Sequence, residues 1–155
     1  MKKILALAPH TDDIELGCGA TLHKYRNDYQ IDALAISNAQ PLATGDPVQE
    51  FYNAMKLIKA NALFWDFKPR TISNHRQELL DKLWKLQQDN KYDIVFCPSS
   101  YDIHQDHQTV HQEAFRVFKH CTILGYEMPW NNRTFRTDVF VSLSKEDVEV
   151  KVKML

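Results

Sequence analysis

Ile4-Leu5-Ala6-Leu7-Ala8-Pro9-His10-Thr11-Asp12-Asp13 follows a basic start, Met1-Lys2-Lys3, and its reading decides the fold. Five consecutive apolar residues fit a strand buried on both faces, and the run breaks at a proline before a histidine and two carboxylates. A secretory leader shares the basic-then-apolar order but needs a longer apolar region and a small-residue cleavage site, so this segment reads as a first strand. Downstream, short apolar runs at 31–36, 63–67, 94–97, 122–126 and 139–143 alternate with helical-period segments. Phe51, Met55 and Ile58 line one helical face, and Leu79, Leu83 and Leu86 another. Strands alternating with helices predict an α/β fold: a Rossmann-like, doubly wound, mainly parallel sheet flanked by helices.

At 155 residues the chain is sized for one domain, 1–155. A formal net charge of −1 gives no general pull toward nucleic acid or anionic lipid. No apolar run approaches the roughly 20 residues of a membrane span. Cys18, Cys97 and Cys121 are isolated from one another, which excludes CxxC chemistry and a disulfide framework and fits a reducing cytoplasm. Two prolines, a glycine and small polar residues make 37–47 a loop. Ser144-Lys145-Glu146-Asp147 reads as a cap and first helical turn, continued by Val148, Val152 and Leu155. A terminal helix and a chain lacking further C-terminal elements both fit that ending.

Chemistry-bearing residues concentrate in two places, each just past a strand, where open α/β sheets present ligand-binding groups. The first is Pro9-His10-Thr11-Asp12-Asp13. One carboxylate can join the imidazole on a metal while its neighbour stays free as a base, or a short polar residue here only caps the next helix. Gly17-Cys18-Gly19-Ala20 is no dinucleotide fingerprint; its small residues allow close helix packing. The second place is His104-Gln105-Asp106-His107, after the strand at 94–97. Helical spacing puts His104 and His107 in neighbouring positions, with His111 a turn further among core-like Val110, Ala114 and Phe118. If crossovers bring both segments to one sheet edge, two histidines and an aspartate with an open fourth position make a catalytic rather than structural zinc arrangement.

These paired motifs, PHTDD and HQDH, resemble those of the LmbE-like/PIG-L deacetylases, which usually read HPDD or HxDD and then HxDH. The resemblance implies a Rossmann-like fold and zinc-dependent hydrolysis of N-acyl groups, commonly N-acetylglucosaminyl. It makes His10, Asp13 and His107 the metal ligands, Zn2+ or another divalent ion, and Asp12 the general base. His104, protonated, becomes the oxyanion stabiliser, with Asp106 as its orienting partner. The run 123–132 is similar to members in sugar and polysaccharide pathways. Tyr126, Glu127, Trp130 and Asn131 there offer an aromatic face and hydrogen-bonding groups suited to a sugar ring, a packed turn being the alternative. Arg76 is a contact for an anionic substrate or else a solvated helix start. Thr11 stands where the family often has proline, which changes loop stiffness and removes no ligand. Family members usually continue beyond the point where this chain ends, so an open cleft, exposed apolar surface and self-association into a homo-oligomer are expectations too. The expected partner is a small N-acetylated sugar or sugar conjugate. A rival reading is a metal-retaining, catalytically weak remnant or binding module, which would need neither Asp12 nor His104. A metal-free nucleotide-binding domain would place phosphate beside Asp12 and Asp13, which repel it.

Overall fold

The computed structural model describes residues 1–38, 45–134 and 136–155, so the middle of the loop read at 37–47 lies outside the described residues. Five strands, β1 (Lys3–Ala8), β2 (Gln30–Ser37), β3 (Asn61–Phe67), β4 (Ile94–Pro98) and β5 (Thr122–Tyr126), form one parallel sheet in the order β3-β2-β1-β4-β5. The helices are α1 (Asp13–Gly17), α2 (Gly19–Tyr25), α3 (Pro47–Leu57), α4 (Arg76–Asn90), α5 (Gln105–Val117) and α6 (Lys145–Met154), with a 3-10 turn at Ile72–His75.

Strand parity sorts the core into two layers. Ile4, Ala6 and Ala8 of β1 face Leu22, Phe51, Met55 and Met154, on the side of α1, α2, α3 and α6. Leu5 and Leu7 face Leu79, Leu83, Val110 and Ala114, on the side of α4 and α5. Each fully buried leucine contributes about 2 kcal/mol, which is why the central strands read as unbroken apolar runs. The chain moves outward from β1 to β3 and then returns to the other flank of β1, so the strand order reverses between β1 and β4. That crevice is where such sheets bind ligands.

The sixth strand expected at 139–143 is not formed. Those residues are irregular, with Val139 and Phe140 exposed, and β5 pairs with β4 alone among the described residues. Alternating apolar residues make a strand only where a neighbouring backbone completes the ladder. The C-terminal helix is formed as expected. Ser144 and Asp147 close a reciprocal capping box, and Asp147 Oδ1 lies 2.7 Å from Nδ1 of buried His23 on α2. Lys151 Nζ donates to Leu16 O at 2.7 Å, tying α6 to the end of α1. Gly17 is required there, because a Cβ would fall 2.3 Å from the Tyr126 ring. None of the helices is long and apolar enough to cross a membrane among the described residues.

Candidate metal centre

Because β1 and β4 are hydrogen-bonded neighbours, the segments after them meet at the crevice. His10 Nδ1 lies 3.3 Å from Asp13 Oδ2 and 3.3 Å from His107 Nε2, which is 3.3 Å from Asp13 Oδ1. Ligand bonds of about 2.0–2.1 Å in a tetrahedral site require ligand atoms about 3.3–3.4 Å apart, so the three residues stand close to the spacing that a zinc-like ion needs. Asp13 is 2 % exposed and further held by the His10 N–H, which donates to its Oδ2 at 2.8 Å.

Two carboxylates fix the tautomers that such an ion needs. His10 Nε2–H donates to Asp106 Oδ2 at 3.1 Å and His107 Nδ1–H donates to Asp102 Oδ2 at 2.7 Å. When neutral, each ring then aims its remaining lone pair at the space beside Asp13. Burial opposes charge on His10, but Asp106 and Asp13 outweigh it and raise its pKa to about 9. Burial likewise opposes charge on His107, and Asp102 and Asp13 raise it to about 10. Asp13 resists the upward push of burial because both imidazoles hold it below the usual carboxylate range. The protein's own protons thus occupy the positions a divalent cation would take.

Asp12 occupies the N-cap of α1, yet its side chain makes no cap bond, so its carboxylate is not spent on the helix. Desolvation and then the Asp13 charge raise its pKa, as suits a base. His104 caps α5, accepting the Asp106 N–H on Nδ1 at 3.2 Å, while its own N–H donates to Asp102 Oδ1 at 2.8 Å. Its pKa is lowered, first by burial and then by His107 and His10. With Nδ1 accepting the Asp106 N–H, the neutral His104 ring carries its proton on Nε2, and the lowered pKa works against the imidazolium that the sequence reading expects. Its orienting contact also differs: the Asp106 carboxylate meets His10 and the Arg70 N–H, the latter at 2.6 Å, and only the Asp106 backbone meets His104.

Asp102 went unread in the sequence, although a carboxylate five residues before His107, at the end of a strand loop, was the available signal. Glu15 was also missed; it is buried below Asp12, and burial, followed by Asp12 and Asp13, pushes it up to about 8. His111 is a satisfied imidazole, donating to Pro98 O at 2.8 Å.

The residues read as substrate contacts fall in three places. Tyr126 is buried and donates its hydroxyl to Leu7 O at 2.8 Å. Tyr126 and Glu127 line a cleft of about 560 Å³ along β5, together with Tyr101, His111, Phe115 and Phe140. Asn131 O accepts from the Ile103 N–H at 3.1 Å, bringing the turn that carries exposed Trp130 against the His104 loop. Arg76 is committed to Glu113, a fully buried carboxylate of α5, with Nε 2.7 Å from Oε1.

Comparison with known proteins supplies a second line of observation. The sequence profile of a family described as GlcNAc-PI de-N-acetylase, PIG-L, matches residues 5–118. The chain is 32 % identical over 164 residues to the "uncharacterized deacetylase YaiS" of Escherichia coli (strain K12), covering 99 % of this chain and 89 % of that protein. Its fold is similar to that of the N,N'-diacetylchitobiose deacetylase of Pyrococcus horikoshii, with TM-score 0.80, 18 % identity, and 99 % and 68 % of the two chains covered. It is similar also to the zinc-inhibited form of the teicoplanin deacetylase Orf2, with TM-score 0.80, 14 % identity, and 99 % and 82 % covered. At these identities the two structures speak for the fold.

Proposed function

We propose, from the premise that the chain belongs to the GlcNAc-PI de-N-acetylase (PIG-L) family of deacetylases, that it hydrolyses the N-acetyl group of an N-acetylglucosamine-type sugar derivative. The observation that carries this reading is the meeting of two carboxylate-fixed imidazoles with Asp13 at tetrahedral spacing, beside an uncommitted Asp12. His10, Asp13 and His107 would hold a divalent cation, zinc by ligand type, which supplies Lewis acidity to the acyl carbonyl and to water at that point. Asp12 takes the proton of the attacking water and returns it to the departing amine. His104 Nε2–H donates to the oxyanion as it forms; one such donor typically contributes about 3 kcal/mol to the transition state. Asp102 and Asp106 orient the ligand rings. Trp130 and Asn131, beside the His104 loop, are the nearest of the proposed sugar contacts, and Glu127 extends that surface. Free thiols at Cys18, Cys97 and Cys121 accord with a cytoplasmic setting.

The test is acetate release from a panel of N-acetylglucosamine derivatives, with metal content assayed on the same preparation. Asp12→Asn is expected to keep the metal and lose at least about 100-fold in kcat, the usual scale for a general base. Asp13→Ala is expected to lose both tight metal and turnover. Metal-loaded protein that releases acetate from no member of the panel would favour the catalytically weak metal-retaining reading.

A further inference from the structure

We propose that the histidine cluster contains an outer cation site, formed by His10 Nε2, His104 and Asp106, which competes with the inner site for the His10 ring and serves as the station through which the inner site is loaded. The inference rests on the inner site being a metal centre. His10, His104 and Asp106 each bring a ligand atom within 4.8 Å of the others, the same spacing limit that the inner triad meets. The independent observation is at Asp106, which is fully buried. Its Oδ2 accepts from Arg70 N–H and His10 Nε2–H, whereas its buried Oδ1 meets no donor among the described residues. A buried carboxylate oxygen without a partner calls for a cation or a water.

Exposure sets the order of the two sites. Asp13 and His107 are each 2 % exposed, while the His10 side chain keeps 13 % and His104 is half-buried. An ion arriving from solvent meets His104 and His10 first, with the Asp106 carboxylate buried behind them. Binding there uses the tautomer in which His10 Nδ1–H faces Asp13 Oδ2, already at 3.3 Å, and in which His104 gives up its long 3.2 Å cap bond to offer Nε2. Passage inward needs no ring flip, but as the ion moves from the Nε2 side of His10 to the Nδ1 side the ring proton must leave Nδ1 and one must return to Nε2, facing Asp106, while Asp13 and buried His107 complete a tighter set. One imidazole cannot serve both positions as a neutral ligand, so a single ion is held at equilibrium. An ion in the outer position removes the His104 donor from the oxyanion, and protein caught in that state is inactive.

The test follows Co2+ binding, by absorption and equilibrium dialysis, in the full chain and its variants. Wild type is expected to bind one equivalent in two kinetic phases, and His104→Ala to lose the fast phase while reaching the same final spectrum. Asp13→Ala is expected to keep one weak equivalent, and Asp13→Ala/His104→Ala to keep none; Asp13→Ala/Asp106→Asn provides the same comparison if the first pair fails to fold by circular dichroism. No binding to Asp13→Ala, or equal binding to it and to both double variants, overturns the outer site. Wild type binding no Co2+, or Asp13→Ala binding as tightly as wild type, overturns the inner site instead.

Discussion

At the scale of single residues, the centre depends on which carboxylate meets which ring. Asp102 bonds His107 Nδ1–H with one oxygen and the His104 backbone N–H with the other. Asp102→Asn is expected to weaken metal affinity about 10–100-fold while leaving the fold intact, measured by competition with a chromogenic chelator. The raised values of His10 and His107, about 9 and about 10, give a second prediction. Below those values each ring holds an extra proton, so a cation binding at neutral pH expels one from each. Calorimetry at pH 7.5 in two buffers of different protonation enthalpy should report about two protons released, with affinity rising as pH climbs and levelling off above about 10. The proposed ligands were legible as a group because His10 and Asp13 directly follow a strand and His107 opens a helix. The pairing of Asp106 with His10 was not, because it spans 96 positions and depends on β4 lying beside β1.

Among the elements, the central strands β1, β2 and β4 announced themselves through apolar runs long enough to be covered on both faces, and α6 through its capping box. The segment 139–143 shows the limit of such reading: its alternation is sound, but a strand is a property of two backbones and β5 does not supply the second. α6 depends on one residue more than its neighbours suggest. Asp147 both completes the box with Ser144 and meets buried His23, and the Ser144 bonds, followed by His23, hold its carboxyl at about 2. A depressed carboxyl stabilises the fold above its ordinary pKa, and that contribution drains away as pH falls through about 2. Asp147→Ala loses a cap and strands a buried imidazole, an expected loss of about 2–4 kcal/mol in urea unfolding at pH 7. Its destabilisation relative to wild type should shrink in acid.

For the whole molecule, the proposed inner site would couple metal to stability, since a ligand that binds only the folded chain stabilises it by mass action. At about 100 times its Kd a cation adds about 2.7 kcal/mol, or roughly 5–11 °C in Tm for a domain of this size. Scanning calorimetry with and without chelator should show that difference in wild type and a smaller one in Asp13→Ala. The crossover topology that builds the site was readable from strand–helix alternation, and the switch point between β1 and β4 follows from the sheet order β3-β2-β1-β4-β5.

The adjacency of β1 and β4 also sets a timetable. Residues 10 and 107 become neighbours only when the fourth strand has seated against the first, so a nascent chain leaving the ribosome offers no complete ligand set until α5 has emerged. Half a site, His10 with Asp13, would grip copper or nickel as readily as zinc, by the general ranking of metal affinities. Postponing the full set until β4 is seated against β1 leaves the geometry of the folded sheet, and not the first ion met, to select the metal.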